Sequence, residues 1–339
     1  MRRGGPCLVS FSGGRDSSVL LAAAVRTARA AGLDDPIPIT LRFASAETDE
    51  RHWQERVVGD LGLADWEVLD VGDELDHVGP VATAVARRHG LLYPPNAYAA
   101  VSRLERARGG TLLTGMGGDE MLEEWRWREH VDALRRLPRP RPADVRALGR
   151  LLSPGPVRRA AERRMRLRLY HFPWLRPHAA ASARRAAAAE RAGHPRLWPA
   201  YVRWRARRRR TAMAAWSYEL LAAEAGAAIA HPLLDGGFLA AISDAGGRFG
   251  WPRRLDAHAA IFAGLLPDAL LRRTTKAPLT GAFWTDRTRR FASEWDGGGV
   301  DPALVDPDAL RDEWRSDSPD ARTGLLLHQA WLRVFSKGG

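Results

Sequence analysis

The 339-residue chain has a single cysteine, Cys7. One thiol excludes a disulfide framework and any cysteine-built metal cluster. Lysine is almost as scarce: of the 52 basic residues only Lys276 and Lys337 are lysines, and the rest are arginine. No apolar run reaches the length of a membrane span. The basic start Met1-Arg2-Arg3-Gly4-Gly5 leads into an apolar run that a glycine loop interrupts at once, unlike the unbroken core of a signal peptide. A cytoplasmic setting is therefore expected. The ten histidines are scattered without metal-ligand spacing. No internal repeat is present.

What is present is ordinary for a globular protein: 45% hydrophobic and 27% charged residues, enough chain for a sizeable core. The net charge of +12 points to an anionic partner. The arginine and alanine excess also looks like the product of a GC-rich genome, so part of that charge is compositional bias. Cys7, inside Cys7-Leu8-Val9-Ser10-Phe11, reads as a buried strand residue.

Along the first third, strand and helix alternate. Residues 6–11, 36–43, 66–69 and 111–114 read as strands. The stretches after Ser18, from 51 to 61, 78 to 89 and 97 to 108 read as helices. Short connections between them predict an α/β fold with a parallel, doubly wound sheet. In such sheets ligands sit at the carboxyl ends of the strands, where strand order reverses. Beyond about residue 130 strand signals vanish and Pro138, Pro140, Pro142, Pro154 and Pro156 punctuate an arginine-rich stretch. The expected organisation is an α/β nucleotide-binding core over 1–130 and a mostly helical region over 131–339 that packs on it and completes the site.

The first candidate site is the loop after strand one, Ser12-Gly13-Gly14-Arg15-Asp16-Ser17-Ser18. Two glycines let successive backbone N–H groups converge on one anion, and the following helix adds its positive end. Ser12, Ser17 and Ser18 add hydroxyls. Asp16 would repel phosphate on its own, so a carboxylate here implies a bridging cation, with Mg²⁺ expected. Neither Gly-x-x-x-x-Gly-Lys-Ser/Thr nor Gly-x-Gly-x-x-Gly follows this strand. The heptad resembles the pyrophosphate loop (PP-loop) of the ATP pyrophosphatases, which implies cleavage of ATP to AMP and pyrophosphate.

The second is Leu113-Thr114-Gly115-Met116-Gly117-Gly118-Asp119-Glu120, after strand four. Its glycines permit close backbone approach, and Asp119 supplies a second carboxylate. The two loops together resemble the asparagine synthetase family, with Leu-Ser-Gly-Gly-x-Asp-Ser and Leu-Ser-Gly-x-Gly-x-Asp-Glu. Arg210-Thr211-Ala212-Met213, His231-Pro232-Leu233-Leu234-Asp235 and Leu266-Pro267 with Arg273-Thr274-Thr275-Lys276 continue the likeness in order, over about residues 7–285. The family includes asparagine synthetases, β-lactam synthetases and lasso-peptide macrolactam cyclases, all of which adenylate a carboxylate and let an amine attack it.

The resemblance implies that Ser12, Gly13, Gly14, Asp16, Ser17 and Ser18 hold pyrophosphate. It implies that Asp16 and Asp119 hold Mg²⁺, and that Phe43, Gly115 and Gly117 line the nucleotide site, with Phe43 and Gly115 on the adenosine side. Arg254 stands for a family lysine and can bind phosphate. Lys276 stabilises charge at the reacting centre. A lysine in so arginine-rich a chain supports that role, because a compact ammonium follows a developing oxyanion where a planar guanidinium does not fit.

The departures shape the expected reaction. Met116 stands where the family carries a proton acceptor, and a thioether cannot act as a base; Glu120 or a substrate group is the alternative. Arg209 replaces an aspartate of the asparagine synthetases, which disfavours free aspartate as substrate. No glutaminase domain precedes the loop, so the amine is expected on the substrate or from a partner. The expectation is an AMP-forming amide ligase of specialised biosynthesis, acting on a carboxylate substrate that includes peptides. The alternatives are a tRNA-modifying ATP pyrophosphatase and a degenerate homologue that binds ATP or a peptide without turnover. Arginine and aromatics mix in 126–168 and in Arg203-Trp204-Arg205-Ala206-Arg207-Arg208-Arg209-Arg210. They read as a solvated face rather than a nucleic-acid groove.

Overall fold

The computed structural model describes residues 5–43, 49–122, 128–157, 160–161, 164, 171–251, 253–271 and 280–336. Five strands make one sheet: β1 (Cys7–Ser10), β2 (Ile37–Phe43), β3 (Glu67–Val71), β4 (Thr111–Leu113) and β5 (Ala228–Ala230). Their order is β3-β2-β1-β4-β5 and every pairing is parallel. The chain winds outward from β1 through β2 to β3, then returns to place β4 on the other side of β1. Strand order therefore reverses between β1 and β4, which opens a crevice at their carboxyl ends.

Alternation along β1 sets the two layers. Leu8 points to one face with Ile39, Leu104, Leu112 and Leu221. Val9 points to the other with Val19, Leu21, Val25 and Phe262. Each such side chain, sealed from water, contributes about 1.5–3 kcal/mol. Helix α1 (Arg15–Ala30) covers the second face. Helix α2 (Arg51–Asp60) joins it there through the buried Val57. Helices α3 (Pro80–His89) and α4 (Val101–Arg106) cover the first. Pro80 opens α3 at the position where a missing N–H costs nothing. Cys7 begins β1 half-buried rather than buried, and partial burial pushes its thiol up.

Strand β5 corrects the expectation that no strand lies beyond residue 130. Ala-Ile-Ala is short and carries little β preference of its own. It is a strand because Leu112 and Ile229 pair in register, and because Thr114 N–H donates to Ala230 O at 3.0 Å.

The further α-helices among the described residues are α5 (Gly118–Leu122), α6 (Arg128–Arg135), α7 (Pro142–Leu152), α8 (Pro177–Ala192), α9 (Trp198–Ala206), α10 (Arg209–Ala225), α11 (Gly236–Ala245), α12 (Arg254–Ile261), α13 (Asp268–Leu271), α14 (Asp286–Glu294), α15 (Pro307–Arg315) and α16 (Gly324–Ser336). Trp174, Trp284, Trp295 and Trp314 build a separate core among the last of them with Leu310 and Leu327. The fully buried Asp76 ties that core to the first layer. It accepts hydrogen bonds from the Thr285 and Thr288 hydroxyls and from Val78 N–H. Among the described residues no helix is long and apolar enough to cross a membrane.

Candidate functional site

The loop between β1 and α1 is held curled by its own hydroxyls. Ser12 N–H donates to Ser17 Oγ at 3.2 Å, and Gly14 N–H donates to Ser12 Oγ at 3.3 Å. The Ser17 and Ser18 hydroxyls both donate to Gly14 O at 2.9 Å, closing the first turn of α1. Gly13 has φ +79°, the left-handed region where a side chain is strained. A Cβ there would also press within 2.9 Å of Gln54 Cγ. Gln54, buried on α2, donates from Nε2 to Ser12 O at 3.2 Å and so fixes the loop from above. Below the loop, Thr40 Oγ1 donates to Phe11 O at 2.8 Å and anchors its stem to β2.

The second loop leans on the first. Gly118, which opens α5, lies so close to Asp16 that a Cβ on it would stand 2.3 Å from Asp16 Cγ. Gly115 and Asp119 line one cleft with Ser12, Gly14, Asp16 and Ser17. Arg15, Arg254, Ser10 and Arg103 complete its walls. Glu120 turns back on its own loop and accepts from Gly117 N–H at 3.0 Å. Arg205 Nε donates to Glu120 O at 2.6 Å, so this buried member of the arginine run braces the loop. Thr114 Oγ1 and His231 Nδ1 are 2.6 Å apart, and Met116 N–H reaches Thr114 Oγ1 at 3.3 Å. Burial holds His231 below the ordinary histidine range, which keeps its ring neutral at pH 7.

Two carboxylates converge on one guanidinium. Arg254 donates from Nη2 to Asp16 Oδ2 and from Nη1 to Asp119 Oδ1, both at 2.6 Å. Arg254 and His258 lie four residues apart on α12, so they share a face, and both look at Asp16. His258 is fully buried, with Nε2 3.1 Å from Asp16 Oδ1. Burial pushes the Asp16 carboxyl up, but His258 and Arg254 outweigh it and hold it below the usual carboxylate range. Burial likewise works against the charge on Arg254, and Asp16 and Asp119 outweigh it.

The residues present fit a divalent cation. Asp16 Oδ1 is sealed from solvent and has no aligned hydrogen bond, with His258 Nε2 its neighbour at 3.1 Å. Among the described residues no group of three or more His, Cys, Asp or Glu side chains gathers to hold a metal by itself. Asp16 and Asp119 offer two carboxylates, and phosphate oxygens and water would complete the shell, as Mg²⁺ sites commonly do.

The fold thus brings together Ser12, Gly13, Gly14, Asp16, Ser17, Ser18, Gly115, Gly117, Asp119 and Arg254 around the β1–β4 crevice. Glu120 is beside it, with its carboxylate on the loop backbone. Phe43 ends β2 and packs edge-on against Phe283, ring centres 5.5 Å apart. Lys276 lies outside the described residues. Ser10, Arg15, Arg103, Gln54, His231 and His258 lie at or against this cleft and carry no assigned role from the sequence. The arginine run offers little stacking surface: Tyr201 is buried and stacked with Trp204, and Arg208 covers the Trp204 ring at 4.6 Å.

Residues 1–333 match a protein-family model described as asparagine synthase. No curated protein matches the chain.

Proposed function

The chain belongs to the asparagine synthase family, and from that premise we propose that it is an ATP-dependent, AMP- and pyrophosphate-forming amide ligase. The observation that carries this reading is the meeting of Asp16, Asp119 and Arg254 over a serine- and glycine-rich loop at the β1–β4 crevice.

In the proposed reaction a carboxylate oxygen of the substrate attacks the α-phosphorus of ATP. The C–O–P bond forms, the bond from that phosphorus to the bridging oxygen breaks, and pyrophosphate leaves with the electron pair. An amine then attacks the acyl carbon, the amide bond forms and AMP departs. The Ser12–Ser18 loop and the start of α1 bind the pyrophosphate portion. Asp16 and Asp119 would hold Mg²⁺, which when bound supplies charge neutralisation for the leaving pyrophosphate. Arg254 exchanges its carboxylate partners for phosphate oxygens as the nucleotide enters. Phe43, Gly115 and Gly117 border the nucleotide. Lys276 stabilises the charge that develops on the reacting centre.

Met116 leaves the proton of the attacking amine without an acceptor at that position. Glu120, on the same loop with its carboxylate at Gly117 N–H, takes that role. Arg209 in place of an acid suits a substrate other than free aspartate. The reading is therefore a ligase of specialised biosynthesis, cytoplasmic, with macrolactam closure of a peptide as its first candidate reaction and the amine carried by the substrate or a partner. Residues 1–130 form its nucleotide half and 131–339 its mainly helical half, sharing the sheet through β5.

The test is the product pair. The chain is incubated with Mg²⁺, ATP and pools of amino acids, dipeptides and longer peptide acids, and exchange of labelled pyrophosphate into ATP is followed. AMP and pyrophosphate are expected with the accepted acid. Release of ADP and phosphate, or no exchange with any acid, overturns the reading.

A further inference from the structure

Arg103, on α4, has no counter-anion among the described residues. One of its terminal nitrogens donates to the Ser10 hydroxyl and the other to Ala99 O at 3.2 Å. Its Nε is sealed from solvent and has no acceptor. Among the described residues no carboxylate pairs with it. The nearest ionisable neighbour that favours its charge is Tyr218 on α10, and burial pushes that phenol above its ordinary range, so it is neutral at physiological pH.

Such an arrangement is costly. A guanidinium stays protonated in proteins, and withdrawing it from water without a counter-ion is unfavourable. Burial accordingly pulls the Arg103 pKa down from its ordinary value. Other arginines among the described residues avoid the penalty against acids, as Arg29 does with Asp35 and Arg136 with Asp144. Arg103 instead lines the same cleft as Ser12, Ser17 and Gly115. It reaches that cleft beside Ser10, the last residue of β1 before the loop. An oxyanion entering there would satisfy the guanidinium.

We propose that Arg103 binds the α-phosphoryl oxygens of the nucleotide. The inference rests on the ATP-cleaving reading, and it adds a residue to that site. The loop and α1 take the pyrophosphate end. Arg103 lines the same cleft beside Ser10, at the end of β1, and is assigned the next phosphoryl group of a bound nucleotide. Its planar fork suits two oxygens of one phosphoryl group. Because that phosphorus is the one a carboxylate attacks, the same contact also holds AMP in place after pyrophosphate has left.

Calorimetric titration of the full chain with AMP, adenosine and pyrophosphate tests this, since AMP and adenosine differ only in the α-phosphate. Arg103→Gln is expected to weaken AMP about tenfold to a hundredfold, the range of a hydrogen bond to a charged group. Adenosine and pyrophosphate should change less than about twofold. Equal AMP affinity in the variant and the unaltered chain overturns the proposal. Parallel weakening of all three ligands also overturns it, because it would mean a purely structural role. Should Arg103→Gln fail to fold, Arg103→Lys keeps the charge and loses the fork; AMP is then expected to weaken severalfold with adenosine unchanged, and an unchanged AMP affinity counts against it. An unaltered chain that binds neither pyrophosphate nor AMP overturns the underlying reading as well.

Discussion

Arg254 donates to the Asp16 carboxylate at 2.6 Å while its other terminal nitrogen reaches Asp119 at the same distance. The guanidinium therefore stands between the two carboxylates proposed to hold Mg²⁺, so it and the cation would compete for the same carboxylate groups.

Removing that competitor should change how the protein responds to the metal alone. Arg254→Gln is expected to lower the melting temperature without ligand, because Asp16 loses a partner in a largely buried setting. Added MgCl₂ should then raise the melting temperature of the variant more than that of the unaltered chain. Pyrophosphate affinity should fall about tenfold or more, for loss of a charged hydrogen bond. Thermal scans across a Mg²⁺ series, with titration of pyrophosphate, measure all three. An identical metal response in both proteins would contradict the competition.

Gly118 carries the tightest demand in the two loops. A Cβ there meets Asp16 Cγ at 2.3 Å and Asp16 Cβ at 2.6 Å, so Gly118→Ala must displace the aspartate or the start of α5. Misplacement by about 1 Å near a reacting centre costs roughly a hundredfold in rate. Pyrophosphate exchange is expected to fall by that order, with circular dichroism unchanged. Full retention of exchange would show that Asp16 can move without consequence.

Glu120 and Lys276 are assigned to different halves of the reaction, and the partial reactions separate them. Glu120→Gln keeps an acceptor for Gly117 N–H, so the loop should stay in place. Exchange of pyrophosphate into ATP is expected within about twofold of the unaltered chain, while amide formation drops at least about a hundredfold, the scale of a lost general base. Lys276→Ala should lower both by about a hundredfold or more. Undiminished amide formation in Glu120→Gln removes the base from this position.

Acid should unfold the protein through two histidines. Burial, with its neighbour His328, holds His77 at about 3; burial also holds His328 at about 4, although Asp76 nearby favours its charge. Above about pH 6.5 both are neutral folded or unfolded, and stability does not depend on them. Below that pH the unfolded chain takes up protons that the folded chain refuses. Stability then falls by about 1.4 kcal/mol per pH unit for each histidine, until the folded values are reached. Depressed carboxylates act lower: Arg136 holds Asp144 at about 2, so its contribution is lost only below about pH 4. Urea midpoints should stay level from pH 7.5 to about 6.5 and decline from there to pH 4.5, and His328→Gln should reduce that lower slope by about half.

The candidate loop between β1 and α1 is legible in the sequence because its curl needs a fixed string: glycines for the turn and hydroxyls that bond back to it, with one carboxylate beside them. The sheet is legible for the same local reason, since apolar runs such as Leu8-Val9 and Ile39-Thr40-Leu41 stand between turn signals. Strand β5 is not, because Ala228-Ile229-Ala230 becomes a strand only through β4. Arg103 is invisible for a different reason. It is one arginine among many, with Arg106 and Arg108 close by, and only its depth and missing counter-ion set it apart. His258 gains meaning only with Arg254, one helical turn before it, already facing Asp16.

The pairing of β4 with β5 has a consequence in time. The loop that carries Asp119 is backed by Leu233 and Leu234, packed where a Cβ on Gly117 would be, and by the Ala230 carbonyl. A ribosome must therefore release more than a hundred further residues after Asp119 before this half of the cleft is braced. Until then the nascent chain presents β4 as an open edge, a template for pairing with other chains. The cleft matures late, and chains interrupted before β5 are expected to aggregate rather than bind nucleotide.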